Sequence, residues 1–196
     1  MQRDFERLKA YVISRLEKEL SNDLHYHSVN HTLDVLEATE RIAASEGVDE
    51  SEMLLLQTAG LLHDIGFIHG HKEHEKRGCL MAGEIMPRFG FTLEDVETIC
   101  ALIMATKVPQ SPRSHLQKIL CDSDLDYLGR DDFYLTGNLL FEELSSRGKV
   151  ASKTEWNRLQ IKFLSDHQYF TNTNLRDREA KKLIHLNELK QLSLEC

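Results

Sequence analysis

The chain has 196 residues, of which 41% are hydrophobic and 29% charged, so it is long enough and apolar enough to bury a core. Its formal net charge of −8 excludes a general nucleic-acid binder, which needs an excess of Lys and Arg to neutralise phosphates. A single phosphorylated small molecule needs only a local site and is not excluded.

The elements follow from helical periodicity. Phe5, Leu8, Val12 and Leu16 predict a first amphipathic helix that stops near Ser21, Asn22 and Asp23. Ser28 opens a second helix. His31, Val35, Ala38 and Ile42 form its inner stripe, and Gly47 ends it. Asp49 and Glu52 read as a capping box for a Leu-rich third helix that passes Met53, Leu56, Gly60 and His63 and stops near Gly66. Residues 69–89 read as a short loop and a fourth helix with a small face of Gly78, Ala82 and Ile85, and with Pro87 near its end.

Thr92 and Asp95 open a fifth helix, carried by Val96, Ile99, Cys100 and Ile103 to Lys107, where Val108-Pro109 ends it. Residues 109–112 are the clearest loop. Ser114 and Gln117 open a sixth helix that passes Leu116, Ile119, Leu120, Ser123 and Asp124 and runs to Gly129. After Asp131, two or three more helices are expected, with breaks near Ser145–Gly148 and Thr171–Asn174. No window alternates like a strand, so the expected fold is all-α. One domain is expected over 1–196, with a core at about 25–130 and C-terminal helices over 131–196.

The longest uncharged apolar run, residues 99–105, is far short of a membrane span. The first residues carry no apolar leader core, so the expected location is cytoplasmic, with no membrane partner. Cys79, Cys100, Cys121 and Cys196 make no CxxC pair and read as reduced thiols, the first three mostly buried and Cys196 terminal and exposed.

Ten histidines are unusual for this length, and six fall within residues 25–71. His31 lies on an apolar stripe, and His63-Asp64 follows Leu61-Leu62 at the end of the most hydrophobic helix. Asp124 has Leu120, Leu125 and Leu128 as neighbours. Buried carboxylates without partners are costly, and a shared divalent cation satisfies carboxylate and imidazole together. A mixed N/O ligand set suits Mn, Fe, Co, Ni or Zn, with Mg also admitted. Adjacent helical residues point about 100° apart, so His63 and Asp64 share an ion only where the helix is ending. The negative end of the helix dipole favours a cation there.

His31, then His63-Asp64, then Asp124 resembles the H…HD…D signature of the HD-domain superfamily of metal-dependent phosphohydrolases. The local wording fits as well: Tyr26-His27 before His31, Leu61-Leu62-His63-Asp64-Ile65-Gly66, and Asp122-Ser123-Asp124-Leu125-Asp126. The resemblance implies that His31, His63, Asp64 and Asp124 are the metal ligands. Asp122 competes with Asp124. Asp124 is favoured because it directly precedes Leu125-Asp126, which leaves Asp122 as a supporting or helix-face charge.

Family members with further metals add histidines between the HD pair and the last Asp. His74 is placed for one of them, whereas the end of the fifth helix reads Thr106-Lys107 where another is expected. One firm metal is therefore expected, with a weak second ion near Asp64 and His74.

The implied reaction is hydrolysis of a phosphomonoester or phosphodiester, in a nucleotide or another small phosphate ester, by a metal-activated water. Asp64 would orient the water. His74 or Glu75 would be the general acid, with His74 preferred because its unperturbed pKa is near 6.5. Lys72, Arg77 and Lys107 would hold phosphate oxygens, although Lys107 also reads as a helix C-terminal cap. His25 and His27 read as capping or surface groups. Arg176, Arg178, Lys181 and Lys182 read as one solvated helix face that reaches a phosphate only if it folds over the site. The alternative function is a catalytically weak metal- or nucleotide-binding signalling module, and a homodimer is left open.

Overall fold

Local sequence sets where most helices begin. The computed structural model describes residues 3–194 and, among them, contains ten α-helices and no strand. Helix α1 (Phe5–Glu19) starts where Asp4 accepts the Arg7 N–H at 3.1 Å. It buries Leu8, Val12 and Leu16 at four-residue spacing, on one face. Helix α2 (Val29–Glu46) ends at Gly47, whose φ of +73° is the left-handed conformation that glycine adopts without strain. Helices α3 (Glu50–Leu62), α5 (Leu93–Ala105) and α6 (His115–Asp124) all begin with complete capping boxes, at Asp49/Glu52, Thr92/Asp95 and Ser114/Gln117. Helix α4 (His74–Ile85) packs against α5 and continues into a 3₁₀ turn over Met86–Phe89. The apolar faces of α1 to α6 meet in one core that includes Val35, Leu56, Leu61, Ile99 and Leu120.

Helices α3 and α6 stop four or five residues earlier than their periodicity predicts, and α5 stops two residues early, at Ala105 instead of Lys107. Helix α3 ends at Leu62 instead of Gly66, and the chain turns through His63 and Asp64 into a 3₁₀ turn over Ile65–His69. Gly66 explains why this turn sits where it does. A Cβ there would lie 1.9 Å from the His74 carbonyl oxygen and 2.7 Å from the Gly78 backbone nitrogen, so only glycine lets the turn pass the start of α4. Helix α6 likewise ends at Asp124, before a 3₁₀ turn over Asp126–Gly129.

The C-terminal part forms four helices, one more than the two or three expected: α7 (Phe133–Ser146), α8 (Lys153–Asp166), α9 (Asn172–Asp177) and α10 (Glu179–Leu194). The additional break is at Arg178, whose guanidinium reaches Asp126 through two bonds of 2.9 and 3.1 Å. Asp126 also accepts from Arg41 of α2 at 2.6 Å and from the Asn174 side chain at 3.1 Å. Asp122, fully buried, accepts from the Phe170 and Thr171 N–H groups and from the Thr171 hydroxyl. It is therefore a tether for the α8–α9 loop. Lys182 is also buried, donating to the His167 carbonyl at 2.9 Å and pairing with Glu179. The expected solvated face of Arg178 and Lys182 is instead a packed seam. A second apolar cluster, with Tyr26, Leu125, Leu128, Phe133, Leu164, Tyr169 and Leu189, joins α7, α8 and α10 to the end of α6. Among the described cysteines, Cys121 is buried while Cys79 and Cys100 are half-buried; Cys196 lies outside the described residues.

Gly66→Ala forces two backbones apart and should cost about 3 kcal/mol or more, lowering Tm by about 6 °C or more. Gly83→Ala is the matched control, since its Cβ would meet only the Val96 side chain at 3.9 Å. There the gain in helix propensity should raise Tm by roughly 1–3 °C. Thermal melts of both variants check the pair; equal shifts would refute the assigned close approach.

Candidate metal centre

Three helix ends meet. His31 is in the first turn of α2, His63 and Asp64 lie where α3 breaks, and Asp124 is the last residue of α6. The His63 ring donates from Nδ1 to the Gly60 carbonyl at 2.8 Å, which fixes the tautomer and leaves the Nε2 lone pair facing inward. His63 Nε2 and His31 Nε2 stand 3.3 Å apart. Asp124 Oδ1 lies 3.3 Å from His31 Nε2 and 3.6 Å from His63 Nε2. Asp64 Oδ2 lies 3.5 and 3.2 Å from the same two nitrogens. Each carboxylate oxygen thus completes a triangle on the shared imidazole edge.

These separations fit a bound cation. Ligand atoms about 2.1 Å from a common ion, at right angles to each other, stand about 3 Å apart. His31, His63 and Asp124 offer atoms that all lie within 4.8 Å of one another, and Asp64 reaches both imidazoles from the other carboxylate position. His31, His63 and Asp64 are buried and Asp124 is mostly so, which makes an uncompensated carboxylate there costly.

The electrostatics point the same way. Burial opposes a charge on His63, but the Asp64 carboxylate beside it, with Asp124, outweighs burial and raises its pKa to about 9. Burial likewise opposes a charge on Asp64, yet His63 and the neighbouring imidazoles hold its carboxyl well below the usual range. The carboxylates thus demand a positive charge, which a proton supplies when no cation does.

Asp64 also faces outward. Its Oδ1 is 3.5 Å from His74 Nε2, and His74 lies 3.7 Å from Glu75 Oε1. His74 Nδ1 points at the His71 carbonyl at 3.2 Å, so the neutral ring presents a lone pair at Nε2. His27 departs from its expected surface or capping role. It stacks on Phe67 at 4.0 Å, and its Nδ1 meets the fully buried Glu143 at 2.5 Å. Glu143 also accepts the Tyr26 and His27 N–H groups and a bond from Arg147. Contacts with these donors outweigh burial and hold its carboxyl below the usual range.

Asp64, Asp124, His27 and His74 line a cavity of about 800 Å³. Of the expected phosphate ligands, only Lys107 is in its wall. Lys72 is exposed and outside that wall. Arg77 is also outside it and holds the HD loop, donating to the carbonyls of His69 and Gly70. Sequence reasoning missed His27 and Glu143; the Tyr26-His27 wording before His31 was the available signal.

A model of the HD domain family matches residues 28–126. A solved structure described as a predicted HD superfamily hydrolase from an uncultured Thermotogales bacterium aligns with a TM-score of 0.63. That alignment spans 95% of this chain and 91% of the other, at 21% identity, a likeness of fold. No curated protein sequence matches the chain.

A cation entering this centre must displace the proton held by His63. That proton stabilises the metal-free fold fully below about pH 6.5, and its contribution fades as pH rises through about 9. Mn²⁺ affinity, followed by electron paramagnetic resonance, should therefore rise by about tenfold per pH unit between pH 7 and 9. Affinity that is flat across this range would exclude the proton–metal exchange.

Proposed function

The chain belongs to the HD-domain family, and on that premise we propose that it is a metal-dependent phosphohydrolase acting on a small phosphate ester. The observation that carries the reading is the cluster of His31, His63, Asp64 and Asp124 opening through its two carboxylates onto a cavity whose wall also holds the imidazoles of His27 and His74. His31, His63, Asp64 and Asp124 would hold a divalent cation, which would supply a water of lowered pKa and a Lewis acid for a phosphoryl oxygen. Mononucleotides and simpler esters both fall within the class.

The two imidazoles take different roles. His74 is the base: its Nδ1 is committed to the His71 carbonyl, and Asp64 Oδ1 positions a water beside its Nε2. This replaces the general-acid role expected from the sequence. His27 is the acid, because the Glu143 carboxylate on Nδ1 fixes the ring and leaves Nε2 for the substrate. The water adds to phosphorus as its proton passes to His74. The bond to the ester oxygen breaks, and that oxygen takes the proton of His27, giving an alcohol and phosphate. Lys107 contributes a positive charge at the rim.

A second reading, a binding module without turnover, draws on the end of α5, where Thr106 spends its hydroxyl on the Ile103 carbonyl and no imidazole is present.

Phosphate release by the Mn²⁺-loaded protein tests the proposal. Asp124→Ala should abolish release with the helical circular dichroism intact; unchanged release would refute the reading. His27→Gln should cost about 10²–10⁴-fold on an alkyl ester, which needs the proton on its leaving oxygen, and far less on p-nitrophenyl phosphate. Equal losses on the two substrates would remove His27 from the acid role.

A further inference from the structure

From the wall of the cavity beyond the metal centre we infer that the alcohol part of the substrate is an apolar body, an aliphatic chain or a hydrocarbon ring. This inference rests on the hydrolase reading for the position of the phosphate. Leu125 and Leu128 continue the wall directly from Asp124. Leu140 and Leu144 of α7 follow, four residues apart, with Leu159 and Phe163 of α8 at the same spacing. Such spacing puts each pair on one helix face. The two helices touch at Phe141 and Trp156, with rings 6.2 Å apart, and at Gly137, where a Cβ would be 3.0 Å from the Gln160 amide. The four apolar side chains line the cavity instead of closing it, and Leu159 is left 43% exposed. An apolar ligand would recover the burial that these side chains forgo.

Charge argues against a polyphosphate in the same place. The lysines of the wall are Lys107 and Lys162; Lys162 is already paired with Asp166 at 2.6 Å, and the His27 proton is committed to the leaving oxygen. Against them stand the carboxylates of Asp64, Glu73, Glu75, Asp124 and Asp166. His167, also in the wall, adds no charge: burial first, and then the Lys182 ammonium, push its pKa down to about 3. One phosphoryl group next to the bound cation can be neutralised there; further phosphates along the apolar wall would find no partner.

The test is calorimetric binding of n-alkylphosphonates, methyl to decyl, to the Mn²⁺-loaded full chain, with adenosine 5′-triphosphate as comparator. Affinity should rise about threefold to fourfold per methylene until the cavity is filled, and decylphosphonate should bind more tightly than the triphosphate. Leu159→Glu, a substitution at a partly exposed position, should flatten the chain-length series. Leu139→Glu, on α7 but outside the wall, should leave the series unchanged. A flat series in the wild type, tighter binding of the triphosphate, or equal behaviour of the two variants would overturn the inference. If short esters are still hydrolysed in that case, the hydrolase reading stands without it. A steep series with no hydrolysis of any ester would keep the apolar site and remove the hydrolase reading.

Discussion

The structure is organised around an electrostatic debt: two carboxylates and two imidazoles converge at the inner end of a cavity, each mostly buried. Separated, each carboxylate would be costly to bury. Together, with oxygen-to-nitrogen distances of 3.2 to 3.6 Å, they define a place for one positive charge. The helix ends follow from this arrangement. His63 and Asp64 are adjacent in sequence, and on a continuous helix their side chains would diverge. The break after Leu62 turns both toward the same point, and the carbonyl end of α3 adds its own negative field.

The C-terminal helices are held to this centre by charge as well as by packing. Asp126 collects Arg41, Arg178 and Asn174, so α2, the end of α6 and the α9–α10 break meet at one buried carboxylate. Asp122 holds the α8–α9 loop by three bonds. From α7, Glu143 reaches back across the molecule to His27. The same attachments that place α7 and α8 over the metal centre also form the cavity wall. The C-terminal part is therefore a component of the site and not an appendage to it.

What was legible in the sequence was local. Capping boxes are contacts between residues three apart, and all three expected from spacing are formed. Amphipathic stripes gave the core of α1 to α6, and the spacing of His31, His63-Asp64 and Asp124 pointed to the family. What was not legible depends on distant partners. His27 reads as a turn residue until Glu143, 116 positions away, fixes its ring. Lys182 reads as solvated until the His167 carbonyl takes its ammonium. Arg77 resembles a phosphate ligand until the HD loop folds back and its carbonyls claim the guanidinium. The close passage of Gly66 against α4, which leaves no room for a Cβ, is likewise a tertiary contact that no periodicity encodes.

For the proposed reaction, the charge balance of the site would also order binding. A phosphate ester approaching the cluster before a cation is in place meets Asp64 and Asp124, with Glu75 and Glu73 also in the cavity wall. Like charges a few ångströms apart repel by about 1 kcal/mol in water and by several times that amount where the effective dielectric is lower. Lys107 at the rim offsets only part of this. A divalent cation held there would cancel the charges of Asp64 and Asp124 and remove most of the repulsion at the inner end of the cavity. Cation and ester thus strengthen each other's binding, and by linkage the coupling is equal in both directions. Under the proposed function, the acidity of the wall therefore makes binding of a phosphate substrate conditional on the metal.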